Sequence, residues 1–475
     1  MFLTLKKIFV FDCLVIFYLT NNKLKSDYFE KFVARLEKTS ISMLNYNKFF
    51  KLLTYGNSKE VYLSAGEVAK YWNDLGGKYD EKILQFIFYF PYCAQKCLYC
   101  RERSEKIKNC KEVVDFILDA EKEMEFFSSI FRNREIDYFT FNGGSPDVLS
   151  HNQLRLVLTS LFLKFKFKKD AVKRIEFNPT GVSSKKLEIV KEFGFNRISF
   201  GVQSLSKKAL KNAGRPYAEL ETIKEIISLT RKMGLDDINI DLILGLPGES
   251  YAQFEDGLRE LCELKPAQIM VYILNEPNRR YLSKYPSMSI ETFQVSVEKM
   301  VSKFLKSTFL DELKEMNYVL VPDKDNLNYK YFALVRRDLS ARAWLGAMDS
   351  YINISTFIVG KKNTSNIFSD LIYERVADFN TKDKIYKASI IDEEYEMKKF
   401  IFSSVESSRQ LNVDLFRKVF GVSIEEKFNI AIKILREKKR IAAKKGVISF
   451  LGRNSRDIII DLAFLISNME KKSQK

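Results

Sequence analysis

The chain has 475 residues, 46% hydrophobic and 29% charged, which excludes a disordered or collagen-like protein and leaves room for two or three domains. Six cysteines in so long a chain exclude the disulfide framework of a small secreted domain and favour a reducing, cytoplasmic compartment. The net charge of +17 admits nucleic acid, an anionic substrate or an acidic electron carrier as partner, although Lys-rich stretches such as "LKFKFKKD" (163–170) and "REKKRIAAKK" (436–445) read first as solvated faces and nucleic acid is the least favoured.

In chain order, "LKKIFVFDCLVIFYLTNN" places two lysines before a twelve-residue apolar run, the outline of a signal peptide. Asp12 interrupts the run, which is too short to span a bilayer and is followed by no small-residue cleavage site. It reads as a core helix or as an extension upstream of the true start, and residues 1–80 are expected to form an N-terminal helical extension without a stable membrane span.

From residue 83 to 275 the chain keeps a regular beat of apolar or aromatic runs and stretches of helical period. "ILQFIFYF" is followed by a helix over Lys111–Phe131, "IDYFTFNGG" by Gln153–Phe165, and "RIEFNP" by Ser184–Phe193. "RISFGVQS" precedes Leu220–Met233, "DINIDLILGLPG" precedes Tyr251–Leu264, and "AQIMVYIL" is the sixth strand. Strands reading as near-continuous apolar runs, buried on both faces, require a parallel α/β sheet covered by helices and wound by right-handed crossovers. In such a sheet chemistry sits at the C-terminal ends of the strands.

The polar motif residues fall at that rim. Cys93, Cys97 and Cys100 follow strand one in "YFPYCAQKCLYC", "NGGSP" (142–146) ends strand two, Glu176 ends strand three and Gln203 strand four, and Asp241 with "GLPGE" (245–249) ends strand five. Thiols spaced C-x3-C-x2-C let one loop wrap a metal centre and leave one metal position open. Three assignments compete: an iron–sulfur cluster, favoured by the strand-to-loop context; a structural zinc with a remote cysteine or the only histidine, His151, as fourth ligand; and plain buried thiols. Gly143 and Gly144 remove side chains where a ligand would approach the backbone, or form only a tight turn.

The C-x3-C-x2-C spacing with Tyr99 before the last cysteine is similar to the signature of radical S-adenosylmethionine (SAM) enzymes. With "FNGGSPDVLS", "EFNPTG", "FNRISFGVQSLSKKALKNAGRP" and "DINIDLILGLPGES", five motifs in order over about 170 residues, the chain resembles the oxygen-independent coproporphyrinogen oxidase family, which includes haem chaperones, haem-degrading enzymes and radical methyltransferases. The resemblance implies a partial (β/α)6 TIM-type barrel over residues 81–280, a barrel-closing middle region at 281–379 and a C-terminal helical, winged-helix-like domain at 380–475. It further implies a [4Fe-4S] cluster on Cys93, Cys97 and Cys100. One SAM is expected against Tyr99, Gly143, Gly144, Ser145, Glu176, Gln203, Arg215 and Asp241, and a second one is compatible with Asn275. A flavodoxin or ferredoxin-type electron donor and an anionic tetrapyrrole substrate complete the expectation.

The diagnostic positions within the family depart from its pattern. Where the oxidases have a tyrosine and a histidine six and four residues before the first cysteine, this chain has Ile87 and Tyr89; where they carry a further cysteine, it has Glu102; and Asn142 replaces the first of three glycines. The His-Asn-x-x-Tyr-Trp segment of the haem chaperones finds only "LNYKYF" (327–332). The expectation is therefore radical chemistry on a tetrapyrrole other than the standard propionate decarboxylation. A non-catalytic haem-trafficking protein, a radical methyltransferase on another substrate and a nucleic-acid-directed protein are the alternatives.

Overall fold

The structure is a computed structural model. It describes residues 60–64, 84–100, 104–274, 289–321, 331–337, 354–358, 365–367, 371–375, 385–390, 410–444 and 446–451, together with one or two positions at a time between them. The N-terminal apolar run, Asn275 and "LNYKYF" up to Lys330 lie outside these residues.

Six strands form in the order expected: Leu84–Phe90 (β1), Glu135–Gly143 (β2), Lys166–Phe177 (β3), Arg197–Gln203 (β4), Asp237–Leu244 (β5) and Gln268–Ile273 (β6). Each pairs in parallel with the next, so the core is the mostly parallel α/β sheet read from the sequence. Tyr318–Val321 (β7) and Tyr331–Arg336 (β8) add antiparallel strands beyond β6, and Ile354–Ile358 (β9) adds a parallel strand beyond β1. The order is β7-β8-β6-β5-β4-β3-β2-β1-β9.

The connecting helices are Cys110–Ile130 (α1), His151–Lys164 (α2), Ser184–Glu192 (α3), Lys207–Asn212 (α4), Leu220–Lys232 (α5) and Tyr251–Glu263 (α6). The starts of all but α5 are set by side-chain caps. Ser150 and Gln153 form a reciprocal capping box, so α2 begins two residues before its first periodic residues suggest; Ser250 and Gln253 do the same for α6.

The two faces of the sheet differ. In a parallel ladder, paired residues project to the same side. One row set is aromatic and aliphatic: Phe86, Phe88, Phe139, Phe141, Ile175 and Phe200 are all buried in the core beneath the helices. The other is also buried but polar. Thr140 pairs with Arg174 and Arg174 with Arg197, while Glu176 pairs with Ser199, Ser199 with Asn239 and Asn239 with Gln268. The expectation of apolar strands on both faces is thus corrected: burial is two-sided, but apolarity is one-sided.

Two smaller sheets flank this core in sequence. Glu60–Ser64 pairs with Ile385–Ile390, which joins Leu371–Arg375 and then Ser365–Ile367, so segments far apart in the chain share one antiparallel sheet. Residues 410–450 form a short strand, helices over Val413–Phe420, Ile424–Lys427 and Asn429–Glu437, and a hairpin of Ile441–Lys444 with Val447–Phe450.

Phe141 is fully buried and meets Phe88 edge-on at a centroid separation of 4.8 Å. Phe141→Ala should cost about 3–5 kcal/mol, the range for deleting a core aromatic. Chemical denaturation checks this, and an unmoved midpoint would show that the aromatic rows are not the core of the sheet.

Candidate functional site

The cysteine loop is ordered at both ends and in the middle. Tyr92–Cys93 pairs in parallel with Glu105–Lys106, and Glu105 N donates to Pro91 O at 2.8 Å while Ile107 N donates to Cys93 O at 2.9 Å. Between these ties the chain runs out and back, and its crest is held on the end of α4: Leu98 N donates to Ala213 O at 2.9 Å and Gln95 Nε2 to Gly214 O at 2.6 Å. Backbone and amide hydrogen bonds do the ordering that the loop's few apolar side chains cannot.

Cys93, Cys97 and Cys100 are all free thiols. Burial pushes the Cys93 thiol up to about 11, helped by the nearby Cys100 and Cys97 and opposed by Ser104 and Lys96. Each sulfur has a polar neighbour: Ser104 Oγ stands 3.6 Å from Cys93 Sγ, Lys96 Nζ 3.6 Å from Cys100 Sγ, and Arg215 Nη1 3.7 Å from Cys97 Sγ. Among the described residues no trio of His, Cys, Asp and Glu closes on a single ion position. A polynuclear cluster asks its thiolates to stand further apart than one tetrahedral ion does. His151 meets Ser183 Oγ at 3.1 Å instead of a thiol. Cys262, by contrast, is buried on α6 and pushed up to about 12 by that burial, an inert core thiol.

The expected rim residues form a connected series. Arg215 reaches from Cys97 to the Gly201 carbonyl, which its Nη2 contacts. Gln203, at φ 72°, folds its amide back over Gly201, where a Cβ would sit 2.9 Å from Gln203 Nε2 and 3.1 Å from Arg215 Nη2. Gly201 pairs with Asp241 in the adjoining strand. Asp241 accepts from Asn239 Nδ2 at 2.9 Å and lies 3.8 Å from Arg174 Nη2, which in turn lies 3.4 Å from Glu176. Asp241 is five residues into β5, not at its end, and is 2% exposed, whereas the Glu176 side chain keeps 32% exposure. Burial and the Glu176 charge raise the Asp241 acid, while Arg174 and Asn239 act against them.

Gly143 and Gly144 serve the protein's own chain. A Cβ on Gly143, at φ +108°, would lie 2.8 Å from the Tyr89 ring, and one on Gly144 would lie 2.2 Å from the Tyr92 carbonyl oxygen. What fills the room of their missing side chains is the end of β1 and the start of the cysteine loop. Ser145 is likewise turned inward, its N–H donating to Tyr92 O at 2.8 Å and its hydroxyl to Asp147. Tyr99 is packed beside Cys97 and Arg215, with its buried hydroxyl lacking a hydrogen-bond partner of normal geometry.

The polar face has unmet capacity. The hydroxyls of Tyr138 and Thr140, Oδ1 of Asn142 and Asn239, and Nε2 of Gln268 are buried without partners among the described residues. Buried polar atoms are rarely left so, and a polar ligand or ordered water on this face would satisfy them. Sequence reasoning missed Lys96, Ser104, Arg174, Ser199 and Asn239. The last three repeat every second residue of their strands, a signal hidden because the intervening residues are so apolar.

Residues 87–261 match the Radical SAM superfamily. The chain is similar to the heme chaperone HemW of Escherichia coli (31% identity, 43% of this chain and 54% of that protein) and to the oxygen-independent coproporphyrinogen III oxidase of Salmonella typhimurium (30% identity, 41% and 42%), so it spans about half the length of these relatives. Its similarity to HemW of Buchnera aphidicola subsp. Schizaphis graminum is 27% and spans 76% of this chain and 91% of that protein. The solved structure of E. coli coproporphyrinogen III oxidase HemN, described as a radical SAM enzyme, superposes with a TM-score of 0.66 at 16% identity over 84% of this chain and 93% of that one, a likeness of fold.

Glu249, in the turn after β5, is 7% exposed; one carboxylate oxygen meets Ser204 and the other is buried without a partner. Burial raises its pKa to about 7 against the lowering effect of Ser204. The folded state then holds this proton more tightly than the unfolded chain, so stability should fall as pH rises from about 4.5 to 7 and level off above. Glu249→Gln should remove that slope and be more stable at pH 8 by at most about 3 kcal/mol. Denaturation midpoints across this range test it, and equal slopes in the two proteins would refute it.

Proposed function

We propose that this chain, a radical SAM protein through residues 87–261, holds a [4Fe-4S] cluster on Cys93, Cys97 and Cys100, binds S-adenosylmethionine along the polar rim and modifies an anionic tetrapyrrole. The observation that carries the proposal is the pinned loop: three free thiols after β1, each with a polar neighbour, joined through Arg215 and Gly201 to the buried polar face. Held by these three cysteines, such a cluster would supply one-electron reduction of the sulfonium and, through it, hydrogen abstraction from an unreactive carbon.

The chain's own residues prepare that chemistry. The thiols must shed their protons to bind iron, and burial makes this costly at Cys93, so cluster loading and proton release are coupled. Glu176 keeps enough exposure to meet an ammonium group, and Arg215 suits a carboxylate beside Cys97. The unpartnered hydroxyl and amide atoms of the polar face suit the remaining polar edges of the cofactor. Asp241, enclosed by Asn239 and Arg174, would support this network more than contact ribose. Ser145 and the two glycines would shape the loop, and Asn275 is retained as a candidate for a second SAM.

A tetrapyrrole substrate is supported by the names of the relatives. A reaction other than the standard one is supported by Tyr89 and Glu102, which stand at two diagnostic positions of the oxidases and hydrogen-bond each other at 2.9 Å. The second reading, haem binding without turnover, is favoured by the similarity to Buchnera HemW over most of that protein's length. The reductant would be a flavodoxin or ferredoxin-type protein, and the 410–450 segment a winged-helix-like cap.

Anaerobic reconstitution should give about four irons and four sulfides per chain. Cys97→Ala should lose them and Cys262→Ala retain them; tightly bound zinc in the wild type would end the proposal. Incubating reduced protein with SAM and coproporphyrinogen or haem, followed by mass analysis, should show deoxyadenosine and a modified macrocycle. Haem binding with no deoxyadenosine would favour the chaperone reading, and conversion to protoporphyrinogen would show the standard reaction.

A further inference from the structure

We infer that Lys96 sets the reduction potential of the cluster, working on Cys100 directly and on Cys93 through Ser104; this rests on the cluster proposed above. An ammonium group has three protons to donate. Lys96 Nζ directs them to Glu102 O at 2.6 Å, Ser104 Oγ at 2.9 Å and Cys100 Sγ at 3.6 Å. None of these three contacts is to solvent. Ser104, 5% exposed, stands 3.6 Å from Cys93 Sγ. In the free thiol Cys93 donates to it; once Cys93 is an iron-bound thiolate, Ser104, already accepting from Lys96, has its own O–H left to donate to the sulfur. One cation thus reaches two of the three ligands.

The consequence for the cluster follows from charge. Reduction adds an electron to a centre already surrounded by thiolates, and a fixed cation with hydrogen bonds to the sulfurs stabilises the more negative state. Arg215 at Cys97 contributes in the same sense but also faces the expected cofactor. Lys96 is spent entirely within the loop, so its role is to position and tune the ligands, not to touch substrate.

The test is an anaerobic redox titration of reconstituted protein, followed by visible absorption and electron paramagnetic resonance, on wild type, Lys96→Met, Lys96→Arg and Ser104→Ala. Lys96→Met should weaken reduction at least about tenfold, a midpoint lower by about 59 mV for one electron, and Ser104→Ala should lower it by less. Lys96→Arg should restore the wild-type midpoint, which a merely structural tie would not require. A loaded Lys96→Met cluster with an unmoved midpoint would overturn the inference while leaving the cluster itself intact. Should Lys96→Met fail to take up iron, Lys96→Gln, which also removes the charge, is titrated in its place, and an unmoved midpoint there would overturn the inference equally. A wild type that takes up no cluster would instead remove the proposed function on which the inference rests.

Discussion

Parallel register is the constraint on which the rest depends. Because paired residues of parallel strands face the same side, the parallel ladder from β1 to β6, whose register shifts only between Ile136 and Tyr138 of β2 and between Gly201 and Gln203 of β4, sorts alternate residues into two sets. The set beneath the helices supplies the hydrophobic driving force. The opposite set is then free to be polar without weakening that core, and it carries Arg174, Glu176, Ser199, Asn239, Asp241 and Gln268 in adjoining rows. Shifting one strand by a single residue would exchange the sets, which ties stability and site to the same alignment.

Keeping charges on a buried face is expensive, and the structure shows how the cost is met. Arg174 is 4% exposed and is placed between Glu176 and Asp241, with its Nε donating to Ser199 Oγ at 2.9 Å. Arg197, equally enclosed, donates to Gln268 Oε1 at 2.6 Å and pairs with Asp237. Buried pairs of this kind add little net stability and are weak devices for holding a fold together. Their retention beside unpartnered polar atoms is better explained by a site prepared for a polar ligand than by the needs of folding.

Much of this was legible in the sequence. The alternation of strands and helices was readable because each period runs long and its breaks carry Gly, Pro or Ser caps, as at Ser150 and Ser250. The three thiols were readable from spacing alone. The polar face was not, because runs such as "DINIDLIL" look apolar throughout when Asn239 and Asp241 are counted with their neighbours instead of as every second residue. Nor were β7, β8 and β9, which fall in the middle region that carries no motif, although helices over Ile290–Lys306 and Phe309–Glu315 lead into β7. The work of Gly143 and Gly144 was visible only in space, since Tyr89 and Tyr92, which occupy the room of their missing side chains, lie some fifty residues earlier.

The basic surplus of the chain bears less on the site than its size suggests. At the rim, Glu102, Glu176 and Asp241 stand among Lys96, Arg174 and Arg215, three acids against three bases. The lysines of "KFKK" instead begin β3, whose other end carries Glu176. At about 3.3 Å per residue that separates them from the rim by roughly 25 Å, several Debye lengths at physiological ionic strength. Over such a distance through solvent their attraction is screened away. The anionic substrate proposed for the rim would therefore be recognised by groups close to it, and the lysines at the foot of β3 leave the balance among the thiols undisturbed.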